Sequence, residues 1–116
     1  MCAISGMINL PASEKTVRQM LETMHRRGPD DRGVYREKGC TLLHGRLAII
    51  DPEGGRQPIT LAWAGEEYTL VYNGELYNTE ELRRELQKKG YAFQETSDTE
   101  VLLQAFIEWK ETVVER

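Results

Sequence analysis

The chain has 116 residues, 40% of them apolar and 29% charged, with a net charge of −4. That is the size and balance of one small globular domain, not a disordered segment. An acidic chain without a basic block argues against nucleic-acid or anionic-membrane binding, and no apolar run approaches the roughly 20 residues of a membrane span.

The N-terminus carries no basic region followed by an apolar stretch, so a cytoplasmic location is the default expectation. Cys2 and Cys40 are the two cysteines. Such a sparse pair is not a disulfide framework, and both are expected as thiols. No CxxC, HExxH or Cys/His cluster occurs, so no metal site is expected.

Residues 3–10, AISGMINL, read as a strand ended by Pro11 and Ala12. Ser13 is a good helix N-cap, followed by Val17, Met20, Leu21 and Met24 at helical spacing. Gly28-Pro29 should stop that helix, and RGPDDRG over 27–33 reads as a loop. A short strand is expected at 34–36, then one or two strands over 40–50 around Gly45-Arg46. Residues 51–58 form a turn-rich loop, and 67–72 alternate as a strand ending at Asn73-Gly74. Asn78 with Glu81 suggests a capping box for a second helix, striped by Leu82 and Leu86 and closed at Gly90. Tyr91–Gln94 reads as a short strand. Ser97 and Glu100 then open a third helix striped by Val101, Leu102, Ala105, Phe106 and Trp109. Trp63 lies in a poorly patterned stretch and receives no role.

Cys2 is the first chemical suspect. Removal of Met1, which a small second residue permits, would leave a thiol and a free α-amine on one residue. An N-terminal amine can serve as base for its own side-chain nucleophile. Unperturbed amines and thiols titrate within about one pH unit of each other, so the proton transfer is nearly balanced. A buried structural cysteine is the ordinary alternative. Asn73-Gly74 is a turn pair, and equally a side-chain amide next to a backbone N–H, which together suit a tetrahedral oxyanion. Arg46 is either an ion-pair partner of an acid such as Asp51 or a bidentate ligand for a substrate carboxylate. Asp98 either supports the start of the third helix or recognises an ammonium group. His25, His44 and Cys40 read as structural residues, and Arg27–Asp30 as a shaped loop that positions something else.

Six segments in order carry a family resemblance: MCAISG, RRGPDDRG, HGRLAIID, QP, YNGELYN and SDTE. Together they resemble the glutaminase domain of asparagine synthetase, a class II glutamine amidotransferase of the N-terminal nucleophile hydrolase type. The resemblance implies an α+β fold belonging to a four-layer αββα sandwich, with residues 1–116 forming a single glutaminase domain. It implies Cys2 as nucleophile, its α-amine as base, and Asn73 and Gly74 as the oxyanion hole. It implies Arg46 on the glutamine α-carboxylate, Asp98 on the α-amine, and Leu47, Ala48, Ile49, Ile50 and Glu75 lining the pocket. Ammonia would pass to a synthetase domain. That domain uses aspartate, ATP and Mg2+, whereas the glutaminase domain needs no cofactor.

The sequence departs from the pattern at Ala3, where the family usually has glycine, and at Arg26, where it often has histidine. The chain resembles only the first part of the longer family domain and has no SGGxDS-like pyrophosphatase loop. The expectation is a fold incomplete at its C-terminal end, with an exposed apolar face or strand edge, marginal stability or homo-oligomer formation. Two other readings stay open: a non-catalytic amino-acid-binding module, and an inactive piece of a larger amidotransferase.

Overall fold

The computed structural model describes residues 1–48 and 54–116. In chain order these form β1 (Ala3–Ile8), α1 (Glu14–Met24), β2 (Asp31–Glu37), β3 (Cys40–Arg46), β4 (Ile59–Trp63), β5 (Glu66–Leu70), α2 (Thr79–Lys88) and α3 (Asp98–Trp109). A 3-10 helix, Lys110–Glu115, follows α3. The class is α+β, and among the described residues the strands pair antiparallel: β1-β3-β2 make one sheet and β4-β5 a second.

In the first sheet, β3 is central. Ala3 pairs with Gly45 and Ile8 with Cys40 on one side, and Asp31 pairs with Arg46 on the other. Side chains alternate between faces. One face presents Ala3, Met7 and Leu43, on which α1 buries Val17, Leu21 and Met24. The α1 start is capped as expected, the Ser13 hydroxyl accepting the Thr16 N–H at 3.1 Å. The opposite face leaves Ile4 and Ile8 47% and 71% exposed, in line with the expected apolar surface.

The second sheet turns through Ala64 and Gly65, both at positive φ (52° and 81°). This is the backbone of a two-residue type I′ hairpin. Ile59, Leu61, Tyr68 and Leu70 pack with Leu82 and Leu86 of α2 and with Val101, Leu103, Ala105 and Ile107 of α3. Burying each such aliphatic side chain stabilises by about 1.5–3 kcal/mol. Gly90, at φ 99°, closes α2. Its N–H donates to Gln87 and that of Tyr91 to Leu86, which is the Schellman pattern. Between the sheets, Gly33 lies against the Gln57–Pro58 backbone and the Tyr35 hydroxyl faces Thr69.

Several elements differ from expectation. β2 begins at Asp31, not at residue 34, because pairing with β3 overrides the turn-forming composition of 30–33. α1 ends at Met24, short of Gly28, and its last carbonyl accepts the Arg27 and Gly28 N–H groups. β4 was not expected at all, and β5 covers 66–70 instead of 67–72. Tyr91–Gln94 is not a strand. Its polar groups are claimed by α3: Gln104 donates to the Ala92 carbonyl at 2.9 Å and Glu100 accepts the Gln94 N–H at 3.0 Å. Asn78 precedes α2 but caps nothing with its side chain, which donates instead to the Arg116 carbonyl. The buried face of α3 is rotated, with Leu103 and Ile107 inside and Phe106 exposed. Cys40 does begin a strand, but it is only half-buried.

Candidate active site

Cys2 immediately precedes β1, so the Ala3–Gly45 pair sets its side chain beside the segment that follows β3. Its Sγ accepts the Leu47 N–H at 3.4 Å and lies 3.8 Å from the Leu47 carbonyl. The residue is half-buried. Met1 is exposed, with its sulfur 3.5 Å from the Arg27 guanidinium.

Arg46 ends β3 and is 7% exposed. Its guanidinium donates to the Gly54 carbonyl and lies next to Gly55. A cleft of about 400 Å³ opens there, lined by Asp30, Asp31, Arg46, Ala48 and Arg56. The expected alternative partner Asp51, and the expected pocket residues Ile49 and Ile50, lie outside the described residues.

The RGPD loop explains how this edge is held. Gly28 packs backbone to backbone on Gly45, where an added Cβ would come within 2.1 Å of the Gly45 carbonyl carbon. That contact permits the Asp30 N–H to reach the Arg46 carbonyl at 2.8 Å. The Asp30 carboxylate accepts the Ala48 N–H, also at 2.8 Å. Asp30 thus braces the backbone on both sides of Leu47, the residue that touches Cys2.

A second group gathers on the loop after β5. Tyr72 donates its N–H to the Gln57 carboxamide oxygen at 2.5 Å. Its ring lies against Gly74, where an added Cβ would meet the hydroxyl at 2.8 Å. Asn73, Gly74 and Glu75 are exposed. Asp98 opens α3 and accepts the Leu76 N–H at 3.2 Å, so it ties the 73–76 loop to the helix. A carboxylate at that position is also favoured by the helix dipole.

His44 is 1% exposed, and its Nε2 has no partner among the described residues. Burial pushes its pKa below the ordinary 6.5, so the ring is neutral at pH 7. Burial, and then the charges of Asp98 and Glu75, push the Tyr72 hydroxyl above its usual 10.

The expected residues therefore fall into two groups. Cys2, Arg46, Leu47 and Ala48 lie along the end of the first sheet, and Asn73, Gly74, Glu75 and Asp98 lie where the β5 loop meets α3. Among the described residues, contacts through Gly55 and Gln57 help join them. Gly55 sits between Arg46 and Ser97, and Gln57 reaches from the first sheet to both Tyr72 and Thr99. Asp30, Gln57 and Tyr72 were given no individual role on sequence grounds. A loop of RGPD type marks Asp30, but nothing local marks Gln57.

The family described as a glutamine amidotransferase domain matches residues 1–116 of this chain. The chain belongs to the glutamine amidotransferase domain family. Its relatives include asparagine synthetase [glutamine-hydrolyzing] 3 of Bacillus subtilis (strain 168), 48% identical over 99% of this chain and 19% of that protein. The Zea mays asparagine synthetase [glutamine-hydrolyzing] is 36% identical over 97% of this chain and 19% of its own length. Asparagine synthetase B [glutamine-hydrolyzing] of Escherichia coli (strain K12) is 36% identical over 93% of this chain and 20% of its own. This amidotransferase domain chain thus spans about a fifth of the length of the curated relatives it matches. No helix among its described residues is long and apolar enough to cross a membrane.

Proposed function

We propose that this chain is the glutaminase part of a glutamine-dependent asparagine synthetase and hydrolyses L-glutamine to glutamate and ammonia. The observation that carries the proposal is the placement of Cys2 against Leu47, next to the buried Arg46, in a member of this family. α1 on one sheet and α2 and α3 on the other are compatible with part of a four-layer αββα sandwich.

With Met1 in place, the α-nitrogen of Cys2 is an amide and has no basic lone pair. Once Met1 is removed, the free amine takes the thiol proton as Sγ attacks the side-chain carbonyl carbon of glutamine. The tetrahedral oxyanion accepts hydrogen bonds from the Asn73 carboxamide and the Gly74 N–H. Its collapse breaks the C–N bond, and the amine returns the proton to the departing ammonia. Water then adds to the Cys2 thioester and releases glutamate. Arg46 holds the substrate carboxylate and Asp98 its ammonium group, with Leu47, Ala48 and Glu75 around them. The ammonia goes to a synthetase domain that uses aspartate, ATP and Mg2+.

The test is mass spectrometry of the chain, with Met1 removal confirmed, after exposure to a glutamine-analogue electrophile. Label is expected on Cys2, and Cys2→Ala is expected to abolish ammonia release. Label on Cys40 alone, or full activity in Cys2→Ala, would overturn the proposal.

A further inference from the structure

Three parts of the molecule meet at Gln57. Its backbone carbonyl is seated on Gly33 of β2, where an added Cβ would come within 1.8 Å of the oxygen. Its side-chain oxygen accepts the Tyr72 N–H at 2.5 Å, and its side-chain nitrogen donates to the Thr99 hydroxyl at 3.4 Å. Thr99 is 4% exposed. Tyr72 is the residue before Asn73-Gly74, and Thr99 is the residue after Asp98.

A carboxamide offers an acceptor and a donor on one planar group. A carboxylate could accept from both the Tyr72 N–H and the Thr99 hydroxyl, whereas an aliphatic side chain would lose both bonds. A single half-buried strut seated on Gly33 of the first sheet thus holds both the loop bearing the oxyanion donors and the helix start bearing the ammonium partner.

We infer that Gln57 is a positioning residue for glutamine hydrolysis: its carboxamide fixes the Asn73–Gly74 loop relative to Asp98, and so sets the span between the reacting amide and the α-amine of bound glutamine. This rests on the function proposed above. The role is indirect, since Gln57 acts through Tyr72 and Thr99. A displacement near 1 Å at a reacting centre costs roughly a hundredfold in rate. Loss of the strut therefore falls on turnover, while Cys2, held by Leu47 instead, keeps its environment.

The test uses the full chain with Met1 removed, comparing the parent with the shape-matched Gln57→Met and with Thr99→Val. Three quantities are read: glutamine kcat and KM, the rate of Cys2 alkylation by iodoacetamide followed by peptide mass spectrometry, and hydrogen exchange at the Tyr72 amide. In Gln57→Met, kcat is expected to fall about 10- to 100-fold while Cys2 alkylation stays within about twofold of the parent. Tyr72 exchange should quicken by about tenfold. Thr99→Val keeps the Tyr72 bond, so its kcat should stay within about threefold of the parent and the larger change should fall on KM. A Gln57→Met variant with kcat within about twofold of the parent would overturn the inference. So would one whose Cys2 alkylation changes in parallel with kcat, because that marks general loosening. A parent that releases no ammonia overturns the functional reading instead. The strut is then judged on Tyr72 exchange alone, and unchanged exchange in Gln57→Met sinks it.

Discussion

At the residue scale, the buried His44 gives the molecule a built-in acid sensitivity. Burial holds its folded pKa below the ordinary 6.5, so in acid the unfolded chain takes up this proton before the folded one does. Its contribution is intact above 6.5 and is lost as pH falls from there towards the lower folded value. Thermal melts from about pH 7 down to pH 5 should show this decline in the parent and a flatter profile in His44→Gln. Equal slopes in the two would remove His44 as the cause. Among single residues, Cys2 stands out from its place behind Met1, Arg46 from its isolation among apolar neighbours, and Asn73-Gly74 as a turn pair, and the roles proposed for them await the labelling test. Gln57 does not stand out, because its meaning lies in two partners, 15 and 42 residues away. His44, read as structural, is 1% exposed, and that burial is set by tertiary packing.

At the element scale, capping separates what local sequence decides from what it does not. Ser13 and Ser97 both cap as expected, the latter accepting the Glu100 N–H at 3.4 Å. Ser97→Ala should therefore cost about 1 kcal/mol, read as a lowered midpoint in urea with an unchanged slope. No shift in midpoint would mean that the Glu100 carboxylate holds this turn without Ser97. That carboxylate does not close a capping box. It accepts the N–H groups of Gln94 and Glu95 at 3.0 and 2.7 Å and is buried. Burial of Thr99, Glu100 and Gln104 is also why the inward face of α3 was misjudged: a stripe drawn from apolar residues alone points the wrong way when polar side chains are inside. β4 escaped notice for a different reason. Its hairpin turns on Ala64-Gly65, and alanine at a positive-φ position lacks the Asn-Gly signature that announces such a turn.

At the scale of the whole molecule, the first sheet is covered by α1 on one face and bears exposed Ile4 and Ile8 on the other. Leu10 is also exposed nearby in sequence. A surface of that kind on an edge strand favours self-association. Sedimentation of the isolated chain should show concentration-dependent association, reduced in an Ile4→Ser, Ile8→Lys double variant. A parent that stays monomeric over the accessible concentration range would refute this. The order of most strands and helices was legible from periodicity and punctuation, and the α+β class followed from the family resemblance. Which strand pairs with which was not legible, since pairing depends on residues far apart in the chain. That pairing has one more consequence. Cys2 has no scaffold of its own, and its location is counted off residue by residue from the Ala3–Gly45 pair. One residue gained or lost between Cys2 and Gly6 would shift the count by one and turn the thiol to the other side of the ribbon. Such an indel would leave most of the packing in place yet carry the thiol away from the Leu47 N–H, so the segment between Cys2 and Gly6 is constrained in length and not only in side chain.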